Sequence, residues 1–450
     1  MPRIRTPKSK QQLLGEIDAQ AWLALMPHYK ATDANGLYLP WDKFQWRVPN
    51  GTSAEAAWLA TKMSRAAMLT GLPLNAERGE CFSYCTPSSL NAMLHKIDKI
   101  SGGGHKIGDD AFATTREKDK YLVKSLMMEE AITSSQMEGA STTRKVAKEM
   151  LETERPPKDQ SEKMIVNNFL LMKEALATKD QPLSIDLMLT FHAIATRDAI
   201  ENEAISGELR RDNNIKISDY YDETAHIPPD YTTLIDRLQQ LCEFANTAHD
   251  KLDSHTFIHP LVKAIILHFM IGFIHPFGDG NGRTARALFY WYMLKSGYWL
   301  FEYVSISKLI QEKRSEYDTA FIHSETDEFD LTYFIYHQTD VVLRSLKALQ
   351  CYIAEKKSAF YQFMEWVSKS PKSKGLKQGQ LEILKSAMKE PGKTFTAKTV
   401  ASDLGVNENT ARKYLNELVE RELLLSAKKP TGKTVVYIAP SGLQQLLSVG

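Results

Sequence analysis

The chain is short of cysteine, of net charge and of long apolar runs, and each shortage removes a class of protein. Four cysteines in 450 residues do not make a disulfide framework. Cys81 and Cys85 stand at helical spacing, but there is no companion pair and no C-x-x-C, so reduced thiols in a cytoplasmic protein are expected. The formal net charge is +1, from 56 Lys and Arg against 55 Asp and Glu, so no global field favours nucleic acid or a membrane. Any basic patch is local. The longest apolar run, 261–274, carries Lys263 and His268 and is too short to span a bilayer. Met1-Pro2-Arg3-Ile4-Arg5 offers no apolar signal core. What remains is the make-up of a soluble globular protein, 43% hydrophobic and 25% charged, long enough for two to four units.

One stretch concentrates the chemistry: Ile274-His275-Pro276-Phe277-Gly278-Asp279-Gly280-Asn281-Gly282-Arg283-Thr284-Ala285-Arg286. The apolar run 261–273 before it and the breaker-free run 287–294 after it both read as buried helices. Polar groups between two buried helices are costly without partners. Glycines at 278, 280 and 282 permit positive φ and close approach of a ligand. Amides opening a helix attract an anion, yet Arg283 and Arg286 share a face in its first turns, where cations oppose the dipole. A di- or triphosphate suits that arrangement. Asp279 is then a candidate Mg²⁺ ligand, His275 a candidate general base, and Asn281 a group to orient the nucleotide or cap the helix.

This stretch resembles the Fic family signature, H-x-F-x-[D/E]-[G/A]-N-[G/K]-R-x-x-R, at every specified position. The resemblance covers about 120–346 and implies transfer of AMP from ATP to a Ser, Thr or Tyr hydroxyl of a target protein. It makes His275 the base, Asp279 the Mg²⁺ ligand and Gly280 to Gly282 the phosphate cradle. Arg283 would hold the transferring end of the triphosphate and Arg286 its γ-phosphate. Gly278, Thr284 and Ala285 complete the nucleotide-binding stretch, with Phe277 as a core anchor. Many Fic proteins place a tyrosine pair against the adenine; this chain has Tyr317-Asp318, which leaves Tyr317 as the stacking candidate.

Upstream, 117–139 has apolar residues at helical spacing and ends in Ser134-Ser135-Gln136-Met137-Glu138-Gly139. Glu138 falls at the negative end of that helix, an unfavourable place for a carboxylate. The pattern Ser134, Glu138, Gly139 resembles the Fic inhibitory motif, in which the glutamate pairs with the second arginine, here Arg286. Between two helical stretches, 207–229 reads as a small β-hairpin, with Ile215, Lys216 and Ile217 as its leading strand. In Fic proteins such a flap holds the target by strand addition. His255 and His259 stand four apart, but no third ligand is placed by spacing, so a zinc site is not expected.

Residues 1–115 carry aromatics interleaved with Lys and Arg and read as an accessory region packed on its neighbour. At the other end, 368–375 reads as a basic, polar linker. Beyond it, helices at 376–388, 396–404 and 408–422 and strands at 423–426 and 434–438 resemble a winged helix-turn-helix. Asn409, Thr410, Arg412 and Lys413 would face the major groove and Lys428, Lys429 and Lys433 the phosphates. A docking or dimerising module is the rival reading, since Glu417, Glu420 and Glu422 share the third helix.

The expectation is therefore a mainly α protein: accessory region 1–115, Fic-type bundle with a hairpin flap 116–350, helix and linker 351–375, winged helix 376–450. It would use ATP and Mg²⁺, act on a protein hydroxyl, touch no membrane, bind duplex DNA if the tail does, and leaves room for a homodimer. Two rival activities remain: removal of AMP with Glu138 positioning water, and a DNA-binding regulator whose Fic site senses nucleotide.

Overall fold

The structure is a computed structural model that describes residues 4–443 apart from 78, 102–115, 201, 203, 219–223, 252–253, 255, 390–391, 429–434 and 441–442. The chain is mainly α and divides into two compact units, Met1–Leu349 and Gln350–Gly450.

The first unit is built on the helix pair Pro260–Ile274 and Asn281–Lys295. The leading helix is apolar on every face, and from Leu261 to Ile274 only Gly272 is not buried. Pro260 starts it without wasting an amide, and His259 caps it, Nδ1 accepting the Leu261 N–H at 3.1 Å. His275 ends it in the left-handed region at φ 47°, its N–H on the Ile271 carbonyl at 3.0 Å, and Pro276 forbids continuation. The trailing helix is nearly as buried. Tyr290 donates to the Val304 carbonyl and Trp291 to the Thr178 carbonyl, each at 3.0 Å, as interior Tyr and Trp must.

Around this pair lie Arg116–Met137, Gln160–Ala177, Ile185–Thr196 and Leu234–Asn246. Glu130 ties the first of them down. Fully buried, it accepts Ser305 Oγ at 2.8 Å, Ser307 N at 3.2 Å and Ser307 Oγ at 2.5 Å. After the motif stand two further helices, Ile306–Glu312 and Arg314–Thr326, broken at Lys313. The hairpin is present as Ile217–Ser218 paired antiparallel with Thr224–His226, so its leading strand begins at Ile217 and not at Ile215.

The N-terminal region packs on the helices after the motif. Arg65 stacks over Tyr38 at 3.7 Å and donates to Tyr333 Oη at 2.6 Å and to the Ala31 and Leu39 carbonyls at 3.0 and 2.8 Å. Lys62 pairs with Asp327 and Glu328, and Tyr38 donates to Asp330 at 2.5 Å. A strand pair, Thr70–Asn75 with Cys81–Tyr84, also stands here. The chain begins with two short helices, Lys10–Glu16 and Ala19–Leu25, because Asp18 caps a new start.

The second unit has helices Gln378–Lys389, Ala397–Leu404 and Glu408–Glu420. Its sheet runs in the order Thr394–Phe395, Val435–Ile438, Leu425–Lys428, all antiparallel. Its core joins Leu384, Ala411, Leu415, Leu418 and Tyr437 to Phe363 and Trp366 from the long helix Thr332–Lys369. The basic stretch read as a linker is held in this unit: Ser373 is buried, and Arg421 donates to the Lys372 and Lys374 carbonyls at 2.8 and 2.7 Å. Among the described residues no helix is long and apolar enough to cross a membrane, and the four cysteines are free.

Candidate active site

The turn between the two buried helices is held from several sides. Asn281 braces it across its own width, Nδ2 donating to the Phe277 carbonyl at 2.7 Å and Oδ1 accepting the Phe277 N–H at 3.0 Å. The Phe277 ring is buried and lies flat on His192, ring centres 3.9 Å apart. His192 accepts the Gly207 N–H on Nδ1 at 3.0 Å, so its Nε2–H donates to the Asp279 carbonyl at 2.9 Å. Burial pushes the His192 pKa down to about 4, so it serves as a neutral bracket.

Two glycines are required by close approach. A Cβ at Gly280, where φ is 75°, would stand 2.6 Å from Thr196 Cγ2, and one at Gly278 would stand 2.7 Å from Ala204 Cβ. A Cβ at Gly282 would run into the Glu138 carboxylate. No side chain caps the helix at Gly280, so its first amides face the space that Glu138 borders.

His275 is half-buried at the rim, with Nδ1 3.3 Å from the Gly272 carbonyl. That contact puts the proton on Nδ1 and leaves the Nε2 lone pair for an incoming group. Burial pushes its pKa down to about 4, against the Gly272 hydrogen bond, so the ring is neutral at physiological pH. Asp279 is about a third exposed; Oδ1 accepts the Gly280 N–H at 2.5 Å and Oδ2 lies 3.3 Å from an Arg283 nitrogen. One open carboxylate fits the way Mg²⁺ is held with a substrate's phosphates, rather than in an all-protein cage. Among the described residues no group of three His, Cys, Asp or Glu could hold a metal. His259 donates to Asp98 at 3.0 Å, and His255 lies outside the described residues.

Both motif arginines are buried, and both are anchored. Arg283 donates to the Ala195 carbonyl at 2.7 Å, while its Nε lacks a partner. Arg286 reaches back across 152 residues of chain: Nε donates to Ser134 Oγ at 2.8 Å, and one Nη to the Ser134 carbonyl at 3.1 Å and to Glu138 Oε1 at 2.7 Å. Gly139, at φ 101°, turns the chain away directly after Glu138. Burial alone would raise the Glu138 pKa, but Arg286, with Arg283 and Arg314, outweighs it and holds the carboxyl below its ordinary value. The anion thus sits over the uncapped start of the trailing helix.

Tyr317 is buried, its ring edge-on to Phe321, Phe334 and His337, and its hydroxyl lies 3.0 Å from His268 Nε2. Arg314 stands over that ring at 5.8 Å, donates to Asp318 at 3.0 Å and to the Met137 carbonyl at 3.4 Å. In the flap, Ile215 and Ile217 are half-buried and Lys216 is exposed. In the second unit Asn409, Arg412 and Lys413 are exposed and Thr410 is half-buried. Lys428 ends a strand, and Lys429 and Lys433 lie outside the described residues.

Sequence patterns missed His192, Arg210, His226 and Arg314. Each acts through main-chain carbonyls or aromatic faces distant in sequence, and a lone His or Arg in a helix or loop carries no sign of that.

A glycine-braced turn beside a neutral histidine opens an uncapped and arginine-lined helix, an arrangement whose charge suits an anion. Residues 182–293 match the Fic/DOC family. Protein adenylyltransferase Fic of Drosophila virilis is 32% identical over 138 residues, 30% of this chain and 25% of the relative. Protein adenylyltransferase fic-1 of Caenorhabditis briggsae is 31% identical over 123 residues, 27% of this chain and 22% of the relative. The chain thus spans about a quarter of the length of these curated relatives. Among solved structures, a Fic family protein from Desulfovibrio desulfuricans aligns over 78% of this chain and 96% of its own, with TM-score 0.48 and 18% identity. Fic-1 from Caenorhabditis elegans aligns over 78% and 90%, with TM-score 0.46 and 20% identity.

Proposed function

We propose that this protein transfers AMP from ATP to a Ser, Thr or Tyr hydroxyl of a target protein, and that Glu138 on Arg286 holds it in a resting state. The observation that carries the reading is the uncapped start of the helix Asn281–Lys295, lined by Arg283 and Arg286, next to a neutral His275. The names of the relatives matched over the Fic segment support it.

In this reading the acceptor oxygen attacks the α-phosphorus, the bond to the bridging oxygen of pyrophosphate breaks, and the hydroxyl proton passes to His275 Nε2. A histidine of low pKa is ready as a base at neutral pH, and the adjacent phosphates make it more basic once ATP is bound. The glycine-turn amides receive the phosphate oxygens, and Arg283 and Arg286 take the charge of the departing pyrophosphate. Asp279 would hold Mg²⁺, which supplies charge neutralisation on the phosphates. Tyr317 is assigned to the adenine, with Arg314 displaced from its ring. The flap segment Ile215–Ile217 is assigned to the target strand. The second unit is read as a winged helix that binds duplex DNA, and the whole as a cytoplasmic protein.

Glu138 also favours a second reading, hydrolytic removal of AMP with this carboxylate positioning water. Incubating the protein and a lysate with ATP labelled in the adenine separates the readings. Label appearing on protein supports transfer; loss of label from a modified substrate supports removal. Neither outcome leaves a nucleotide-sensing DNA regulator, in which an intact His275 has no task.

A further inference from the structure

A two-stranded ribbon as short as Ile217–Ser218 with Thr224–His226 buries too little to hold its own position. Two cationic side chains hold it instead, and both bind the end of the helix that delivers His275. The last carbonyls of a helix have no donor within it and carry the negative end of its dipole. Arg210 Nε donates to the His275 carbonyl at 2.9 Å, and the Arg210 N–H donates to the Pro276 carbonyl at 2.9 Å. The same guanidinium spans both legs of the flap: it donates to the Asp212 carbonyl at 2.7 Å, to Asn213 Oδ1 at 3.1 Å and to the Pro229 carbonyl. Asn213 in turn donates to Asp230 at 2.8 Å and closes the base of the loop.

His226, on the trailing strand, reaches the other orphan carbonyl. Nε2 lies 2.8 Å from the Phe273 carbonyl and Nδ1 2.8 Å from Glu325 Oε2. Both partners are acceptors, so both ring nitrogens donate and the ring is an imidazolium. Burial opposes that charge, but Glu325 and the Phe273 carbonyl outweigh it, with Glu77 adding in the same sense. The flap is thus fixed on either side of Ile274, at Phe273 and at the histidine itself.

We propose that Arg210 and His226 are positioning residues that lock the flap to the carbonyl end of the helix Pro260–Ile274, and so set where a strand-paired acceptor presents its hydroxyl to His275. The proposal rests on the adenylyl-transfer reading for its catalytic half. Neither residue contacts the arginine-lined helix start, so neither is needed for the triphosphate.

The test compares His226→Phe, Arg210→Gln and Arg210→Lys by amide exchange in the intact chain, and by steady-state AMP transfer in chains that also carry Glu138→Gly. His226→Phe should speed exchange at Ile217 and Ala225 at least tenfold and raise the KM for the protein acceptor at least tenfold, with the KM for ATP within twofold. Arg210→Gln should do the same and lower kcat as well, because the His275 carbonyl loses its donor. Arg210→Lys should recover part of the loss, since an ammonium still reaches one carbonyl. Glu325→Gln, which keeps an acceptor at Nδ1 but removes the charge, should give a smaller change and guards against a misfolded His226 variant. Unchanged flap exchange in both His226→Phe and Arg210→Gln, or a KM for ATP that rises in step with that for the acceptor, overturns the proposal. A parent that transfers no AMP at all overturns the adenylyl reading instead, while exchange still decides whether the clamp exists.

Discussion

Two helix starts in this chain look alike in sequence and differ in what they demand. Asn281–Lys295 and Glu408–Glu420 both follow a polar turn and both carry an arginine in their first turns. The second satisfies itself: Asn407 Oδ1 accepts the Thr410 N–H at 2.8 Å, and Arg412 pairs with Glu408 at 2.9 Å, in the open. The first has no side-chain cap, and its two arginines are buried. A buried helix start with cations on it calls for an anion, whereas an exposed and capped one calls for nothing. In this chain the missing anion is supplied from within, by Glu138. A site built for a ligand is therefore recognised by a demand the local chain does not meet.

The largest expected effect would break the comparison on the first side. His275→Ala should lower AMP transfer at least a hundredfold, the scale of a lost general base, while calorimetric ATP affinity stays within twofold. Loss of ATP binding in the same proportion would mean that the histidine shapes the triphosphate site.

Next comes acid stability, which sharpens the contrast between the units. All 12 histidines lie in the first unit and none in the second. Burial pushes His192 down to about 4 and His268 to about 3, so the unfolded chain takes up protons that the folded unit refuses. Their stabilising effect is complete above about pH 6.5 and is lost as the pH falls towards the folded values, at up to about 1.4 kcal/mol per pH unit for each ring. His226 works the other way, since its raised pKa adds stability that disappears as the pH rises through it. Hydrogen exchange at pH 5 and pH 7 should show protection falling in the first unit while the second changes little; equal loss in both would contradict this.

The smallest expected effect concerns the exposed helix start. Arg412→Ala with Lys413→Ala in the full chain should weaken duplex DNA binding several-fold and relax its preference among sequences, as loss of groove contacts does. No gel shift at low salt would favour a docking role.

Much of this architecture could be read from periodicity and breakers. The two motif helices are long apolar runs ended by Pro276 and started after Gly280, and Gly139 marks the end of the upstream helix. The strand pair Thr70–Asn75 with Cys81–Tyr84 was hidden because Gly71 and Pro73 interrupt its pattern and its register is irregular. The strand Thr394–Phe395 is too short to produce any alternation. In the site, the residues that carry charge or backbone freedom within one turn were legible. Those that work by reaching a distant carbonyl were not: His192 acts on Asp279, Arg210 on His275 and His226 on Phe273, and nothing local in those residues names the partner.

Glu138 stands where the first helix start lacks an anion, and in the proposed reading it keeps the site from using ATP. The direct measurement is the rate at which the purified protein labels itself with AMP, wild type against Glu138→Gly, at saturating ATP and Mg²⁺. Release of a carboxylate that costs productive alignment more than about 1.4 kcal/mol should raise the rate tenfold or more. Equal rates in the two proteins would contradict the account and leave Glu138 as a partner of Arg286 without a regulatory part.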